Sequence, residues 1–294
     1  MSDFPSTFYK YRKFDTFSMD ALVNDKVYFS DPNYFNDPLD CKPHIDFDIQ
    51  DKESLHEILS KLLYQDYFES NLSKYSNLKY DYNSIHDFNT MISLHAYEET
   101  KGFIIGLTNN IKEEHEEIDA YKHYIHILIM KKIGGKGVFS LAGSFDCPLM
   151  WSHYGDEHKG FCIGYKRSEN IQAEAFSFFH NIQKIKYNLP RTILSSKIYQ
   201  MVNQTPQAET EIDDAIYFRK SPKWCYENEY RMIGHIGLHN PPLELSEITF
   251  GLKCPESIQH IIINSLRKHT GLNFYVMTEI QGSFNLERKL VAFY

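Results

Sequence analysis

The stretch Trp224-Cys225-Tyr226-Glu227-Asn228-Glu229-Tyr230-Arg231 restricts what this chain can fold into more than any other. Side chains alternate between the two faces of a strand, so as a strand it puts Glu227, Glu229 and Arg231 on one face. Tyr226, Asn228, Tyr230 and Met232 then share the other. Three charges on one strand face are costly to bury unless they are paired. The face is therefore either solvated, with a Glu–Arg pair on it, or it belongs to a polar site. This stretch leaves both open.

Composition narrows the function classes. Aromatic residues make up 15% of 294 residues, and tyrosines at that density line half-buried strands and suit stacking on flat-ring ligands. The net charge of −8 disfavours an extensive nucleic-acid-tracking surface. Cys41, Cys147, Cys162, Cys225 and Cys254 form no C-x-x-C pair, which argues against a zinc ribbon or disulfide scaffold and suits a reducing cytosol. There is no apolar run of membrane-spanning length and no signal-peptide apolar region. A cytoplasmic protein without a membrane partner is expected.

Hydrophobic periodicity places β-rich ends around a helical middle. Phe8–Arg12 and Lys26–Ser30 read as strands, with a short helix over Phe17–Asn24 capped by Ser18. Asp31–Asp40 is a dense Asp, Asn and Pro turn cluster, able to offer acceptors to a ligand or to cap itself. Helical patterns follow from Ser54 to Lys132, including Ile85–Glu99 and Glu113–Lys132, with Gly102–Thr108 expected as a short strand. Strands then recur from Gly137 onward, ending near Phe274–Glu279 and Lys289–Phe293. The expected architecture is a single α+β domain over residues 1–294, with a mostly antiparallel β core and a helical insertion at about 54–132.

Three clusters carry the chemistry. They are Phe-Asn-Asp-Pro (35–38), Met-Trp-Ser-His-Tyr followed by His-Lys-Gly-Phe (150–161), and Trp-x-x-Glu-x-Glu-x-Arg (224–231). In that order, with Tyr-Lys-Tyr-Arg at 9–12, the chain resembles a widespread bacterial family, domain-of-unknown-function family 2971. Members of that family often have Cys-Phe-Ser where this chain has Val138-Phe139-Ser140, which puts a thiol role there in doubt.

The order of the motifs is also similar to that of ADP-ribosyltransferases, which have a split β core, an early basic residue, a middle aromatic/Ser motif and a late Glu. That resemblance implies NAD as substrate, ADP-ribose transfer to an unknown macromolecular or small-molecule acceptor, and no metal. A toxin or anti-phage setting would suit such a bacterial domain. Glu229, Glu227 and His153 are then the catalytic candidates. Tyr11, Arg12, Asn36, Asp37, Trp151, Ser152, Tyr154 and Arg231 are the candidates for holding NAD. The chemistry asks for such residues: breaking the nicotinamide–ribose bond builds positive charge on the ribose, which a carboxylate stabilises.

Two alternatives belong to other classes. A metal-dependent nuclease would use Asp37, Asp40, Glu227 and Glu229 around Mg²⁺, with Lys220, Lys223 and Arg231 on phosphate, although the Glu-x-Lys end of such a core is absent. A nucleotide-sensing module without catalysis would use the same aromatic residues. A zinc site on His153, Asp156 and His158 ranks last, because the two histidines are not at i, i+4 spacing.

Overall fold

The computed structural model describes residues 4–77, 84–167, 182–241 and 243–291. In chain order the elements are β1 (Thr7–Arg12), α1 (Thr16–Val23), β2 (Val27–Phe29), a 3₁₀ turn at Pro32–Tyr34, β3 (His44–Asp46), α2 (Lys52–Lys74), α3 (Ile85–Thr108) and α4 (Glu114–Gly134). Next come β4 (Gly137–Ala142), α5 (Pro148–Tyr154), β5 (Phe161–Arg167), β6 (Gln183–Lys184), β7 (Thr192–Leu194), α6 (Ser195–Val202) and α7 (Ala208–Tyr217). Another 3₁₀ turn, Pro222–Glu227, leads to β8 (Glu229–Gly234), β9 (Gly237–His239), β10 (Leu243–Phe250), α8 (Glu256–Ser265), β11 (Asn273–Glu279) and β12 (Leu286–Leu290). The content is α+β, with a large, mostly antiparallel sheet, as the periodicity indicates.

Two compact units are present. One comprises Met1–Cys41, Gly135–Leu189 and Tyr217–Tyr294, and the other Lys42–Gly134 and Pro190–Ile216. The first holds an eight-stranded sheet in the order β12-β11-β10-β5-β1-β4-β8-β6, with only β10 and β11 parallel. One face buries Phe8, Phe139, Leu141, Phe161, Ile163 and Phe250 with Leu22 of α1 and Ile262 of α8. The opposite face buries Tyr9, Tyr11, Ala142 and Cys162 with Met150 and Trp151 of α5. Alternation along β1 and β4 supplies both faces, Phe8, Phe139 and Leu141 to one and Tyr9, Tyr11 and Ala142 to the other.

The second unit pairs β3 with β7 in parallel and is otherwise helical. In α4, Tyr121, Ile125, Ile129 and Ile133 recur every fourth residue and are buried, while the helix begins with Glu114, Glu116 and Glu117 and ends with Lys131 and Lys132. The strand expected at Gly102–Thr108 is instead the last part of α3. A short apolar run cannot by itself distinguish strand from helix. Here Phe88, Ile92, Ala96 and Thr100 establish a four-residue burial period that carries the helix through both glycines.

Two further expectations are corrected locally. Asp15, not Ser18, caps α1: its carboxylate accepts from the Ser18 amide at 2.7 Å, leaving Ser18 as the third helical residue. Glu227 lies in the 3₁₀ turn rather than on the strand, because Asn228 adopts a left-handed conformation, φ +42°, before β8 begins. The last expected strand appears as β12, Leu286–Leu290, and residues 292–293 lie outside the described residues.

The Asn228 turn is locked by Gly143, whose amide donates to the Asn228 carbonyl at 2.9 Å. A Cβ at Gly143 would meet Asn228 Nδ2 at 2.2 Å and the ring of buried Tyr230 at 3.0 Å. Gly143→Ala should therefore destabilise the protein by about 1–3 kcal/mol, the usual cost of overpacking. Urea denaturation of the variant beside wild type checks this.

Candidate functional site

The sheet opens where β1 meets β4. These strands pair at one register position, Tyr9 opposite Ala142. Just beyond it, the ammonium of Lys10 donates to the Ser140 carbonyl at 2.6 Å. On the other side β4 and β8 pair along their full length, setting Ala142 opposite Glu229 and Ser140 opposite Arg231. The opening leads to a cavity of about 490 Å³, within the ordinary range for small-molecule sites. Tyr9, Lys10 and Tyr11 of β1 line it together with Ser140, Tyr154, Lys220, Glu227, Glu229 and Arg231. Val138, Leu141 and Ala142 of β4 and Met150 of α5 also line it, and another wall comes from β2 and the turn after it: Tyr28, Ser30, Asp31, Tyr34, Phe35, Asn36 and Asp40.

A buried ion cluster forms the cavity floor. Arg231 is fully buried, and its guanidinium donates to Glu229 at 2.7 and 3.0 Å, to Asp40 at 2.9 and 2.6 Å, and to the Tyr217 carbonyl at 2.8 Å. All five N–H donors of the arginine are thereby satisfied. The Lys220 ammonium donates to Glu227 at 2.5 Å and Glu229 at 3.0 Å, with Asp40 3.4 Å away. Three carboxylates thus face two cations, leaving one surplus negative charge when all are ionised.

The two glutamates respond to this in opposite ways. Burial would raise Glu229, but Arg231 and Lys220 reverse the effect and hold it well below the usual carboxylate range. Burial raises Glu227, and the neighbouring charge of Glu229 adds to that, while Lys220 opposes both. One oxygen of Glu227 faces Lys220 and the other accepts from Tyr154 Oη at 2.8 Å. Asn36 Nδ2 in turn donates to Tyr154 Oη at 3.2 Å. Glu229 is therefore a fixed anion inside the cluster, and Glu227 is the carboxylate whose ionisation burial opposes. Cys41 lies 3.3 Å from Arg231, but burial pushes its thiol up to about 12. It is no nucleophile at neutral pH.

Residues 150–232 match the model of a family described as a protein of unknown function, DUF2971. The family resemblance drawn from the motifs holds over this span. The DUF2971 segment contributes Tyr154, Lys220, Glu227, Glu229 and Arg231 to the cavity, whereas Lys10, Asn36, Asp40 and Ser140 precede it. No curated protein and no solved structure matches the chain.

Of the residues singled out from sequence, Tyr11, Asn36, Tyr154, Glu227, Glu229 and Arg231 line the cavity. Asp40 and Lys220, singled out for a metal-dependent nuclease, line it too, whereas Arg12, Asp37, Trp151, Ser152 and His153 do not. Trp151 is wholly buried; its indole donates to the Phe145 carbonyl and its ring packs edge-on against Tyr11, which makes it core. Ser152 is exposed and donates to the Pro148 carbonyl. His153 is also exposed, its ring 6.3 Å from that of Tyr226. Asp37 accepts from the Trp224 indole at 2.7 Å and so fastens the Asp31–Asp40 turn to the 3₁₀ turn before β8. Arg12 does not line the cavity; the charged and polar groups it senses are Tyr165 and Asp15.

Lys10 and Lys220 complete the site, and neither was singled out as a ligand for NAD. The signal for Lys10 was present: a lysine between two tyrosines of a buried strand has no solvated face to reach. Lys220 sits among Asp40, Glu227 and Glu229, where a nuclease metal would have to lie. Among the described residues no group of three His, Cys, Asp or Glu side chains could hold a metal ion, and no helix is long and apolar enough to cross a membrane.

Removing Arg231 would leave Asp40 and Glu229 buried against each other. Arg231→Met should cost about 3–5 kcal/mol at pH 7, as for other broken buried pairs. Glu229 is held below its ordinary value of 4.5, so its contribution is complete above that pH and is lost as the pH falls through the depressed native value. The gap between wild type and Arg231→Met should therefore shrink between pH 7 and pH 3. Urea melts of both proteins at the two pH values measure it.

Proposed function

We propose that this cavity cleaves the nicotinamide–ribose bond of NAD and passes ADP-ribose to an acceptor, on an ADP-ribosyltransferase-like split sheet. The observation that carries the reading is the chain Asn36–Tyr154–Glu227, in which three motifs distant in sequence meet at one carboxylate facing the cavity. As the glycosidic bond breaks, positive charge grows on the ribosyl carbon, and a carboxylate fixed beside it in a site of low polarity lowers the barrier. Nicotinamide is cationic in NAD and departs neutral, so the leaving group needs no proton.

Glu227 is the working carboxylate in this reading. Its two oxygens each accept one strong hydrogen bond, which orients the group while leaving lone pairs for the sugar. Glu229 has the supporting role of holding Lys220 and Arg231 in place. Tyr34, exposed at the cavity wall, and Phe35 offer flat faces for the nicotinamide or adenine ring. In this reading the ligand enters where β1 and β4 part beyond Tyr9 and Ala142.

Nicotinamide release from NAD, followed chromatographically, tests the reading. Glu227→Gln should keep the shape and lower the rate by about 10²–10³, as loss of an electrostatic stabiliser does elsewhere. NAD affinity should stay within a few-fold, because an amide still hydrogen-bonds to the ground-state sugar. The melting temperature should stay close to that of wild type, since the substitution removes the surplus charge. Wild-type protein that releases no nicotinamide and shows no NAD-dependent melting shift would sink the proposal.

A further inference from the structure

The cavity contains a second lysine whose situation is the reverse of Lys220. Lys10 reaches into the opening between β1 and β4, where its Nζ donates to the Ser140 carbonyl at 2.6 Å and lies 5.2 Å from the centre of the Phe139 ring. Among the described residues the carbonyl is its one hydrogen-bond acceptor, whereas Lys220 is held among three carboxylates. We infer that Lys10 is the proton acceptor of this cavity, the amine that takes the proton from the incoming hydroxyl, thiol or amine as it bonds to the ribosyl carbon. This rests on the transfer reaction proposed above.

The step balances with nothing added. The acceptor heteroatom forms its bond to the ribosyl carbon, the bond to nicotinamide breaks with its electron pair, and the acceptor proton moves to the Lys10 amine. Two features favour that uptake. Burial, then the charge of Arg12 on the same strand, lower the Lys10 ammonium to about 7, so the free amine is well populated at neutral pH. Once formed, the new ammonium faces a cluster with one surplus negative charge, which it neutralises. Glu229 and Glu227 from the β8 side support the charged form, and Arg231 opposes it. Asp31, Asp40 and Lys220 line the same cavity, and the β4 residues beside Lys10, Phe139 and Ser140, carry no charge. A base whose pKa lies near the working pH is the efficient kind.

The test has two arms. In the first, the protein is acetylated with limiting acetic anhydride between pH 5.5 and 9.5, and each lysine is read by peptide mass spectrometry. The rise in Lys10 labelling should have its midpoint near 7, with Lys220 unlabelled throughout. In the second, NAD turnover is followed against pH for wild type, Lys10→Met and Lys10→Arg. Wild type should gain about tenfold in rate per pH unit below 7, and both variants should lose that slope and about 10²-fold in rate at pH 7.5.

A Lys10 labelling midpoint above 9 overturns the inference whatever NAD does, as does unchanged turnover in Lys10→Met. If wild type turns over no NAD, the proposed function falls, and the labelling arm still decides. A midpoint near 7 then supports Lys10 as the reactive base of the cavity, and one above 9 refutes it.

Discussion

Arg231 is a charged side chain with no solvent exposure, and the arrangement around the cavity follows from keeping it satisfied. A guanidinium taken out of water needs an acceptor for each of its five N–H groups. Glu229 comes from two residues back on the same strand face, Asp40 from the end of the turn after β2, and the Tyr217 carbonyl from the end of α7. One side chain thus ties three stretches far apart in sequence to a single point. The Asp31–Asp40 turn cannot leave without stranding a buried charge, and that turn supplies Tyr34, Phe35 and Asn36 to the cavity wall. Asp37, bonded to the Trp224 indole, is a second tether on the same turn.

The opening between β1 and β4 is the other condition for a site. A sheet paired without interruption would leave only its faces, which here are filled by Phe139 and Leu141 on one side and Trp151 and Met150 on the other. Parting the two strands beyond Tyr9 and Ala142 frees main-chain groups that must find partners. Lys10 supplies one, donating to the Ser140 carbonyl that a continued ladder would otherwise use. The cavity is therefore lined partly by strand backbone and partly by side chains of both faces.

Much of this was legible in the sequence. The charged face of Glu229 and Arg231 required pairing once buried, and period-2 alternation put both residues on one side. Tyr154, Asn36 and Glu227 stood out as polar residues in turn-rich, aromatic settings, and they converge. What alternation could not supply was the break at Asn228, because a left-handed residue resets the period and moves Glu227 off the strand while keeping it in the site. Trp151 and His153 misled for a related reason. Their cluster is the short helix α5, whose tryptophan fills the core against Tyr11, so aromatic density reported packing there rather than a ligand. Lys220 lies seven residues from Glu227 and nine from Glu229, a spacing with no regular period, so only the folded turn reveals its place.

The surplus charge in the cluster connects stability to chemistry. Two carboxylates against two cations would be balanced, and every group would hold its ordinary charge with nothing left to respond to a ligand. Burial makes ionisation of the third carboxylate, Glu227, costly, and the charge of Glu229 adds to that while Lys220 opposes both; Glu229 and Asp40 have the arginine. The surplus negative charge favours a new positive charge nearby. A developing ribosyl cation and a protonated Lys10 are two such charges, and the reaction proposed here forms one after the other in one cavity. In the proposed reaction the transition state carries the positive charge that three carboxylates against two cations leave unbalanced, and the buried arginine keeps the cluster from relaxing toward solvent.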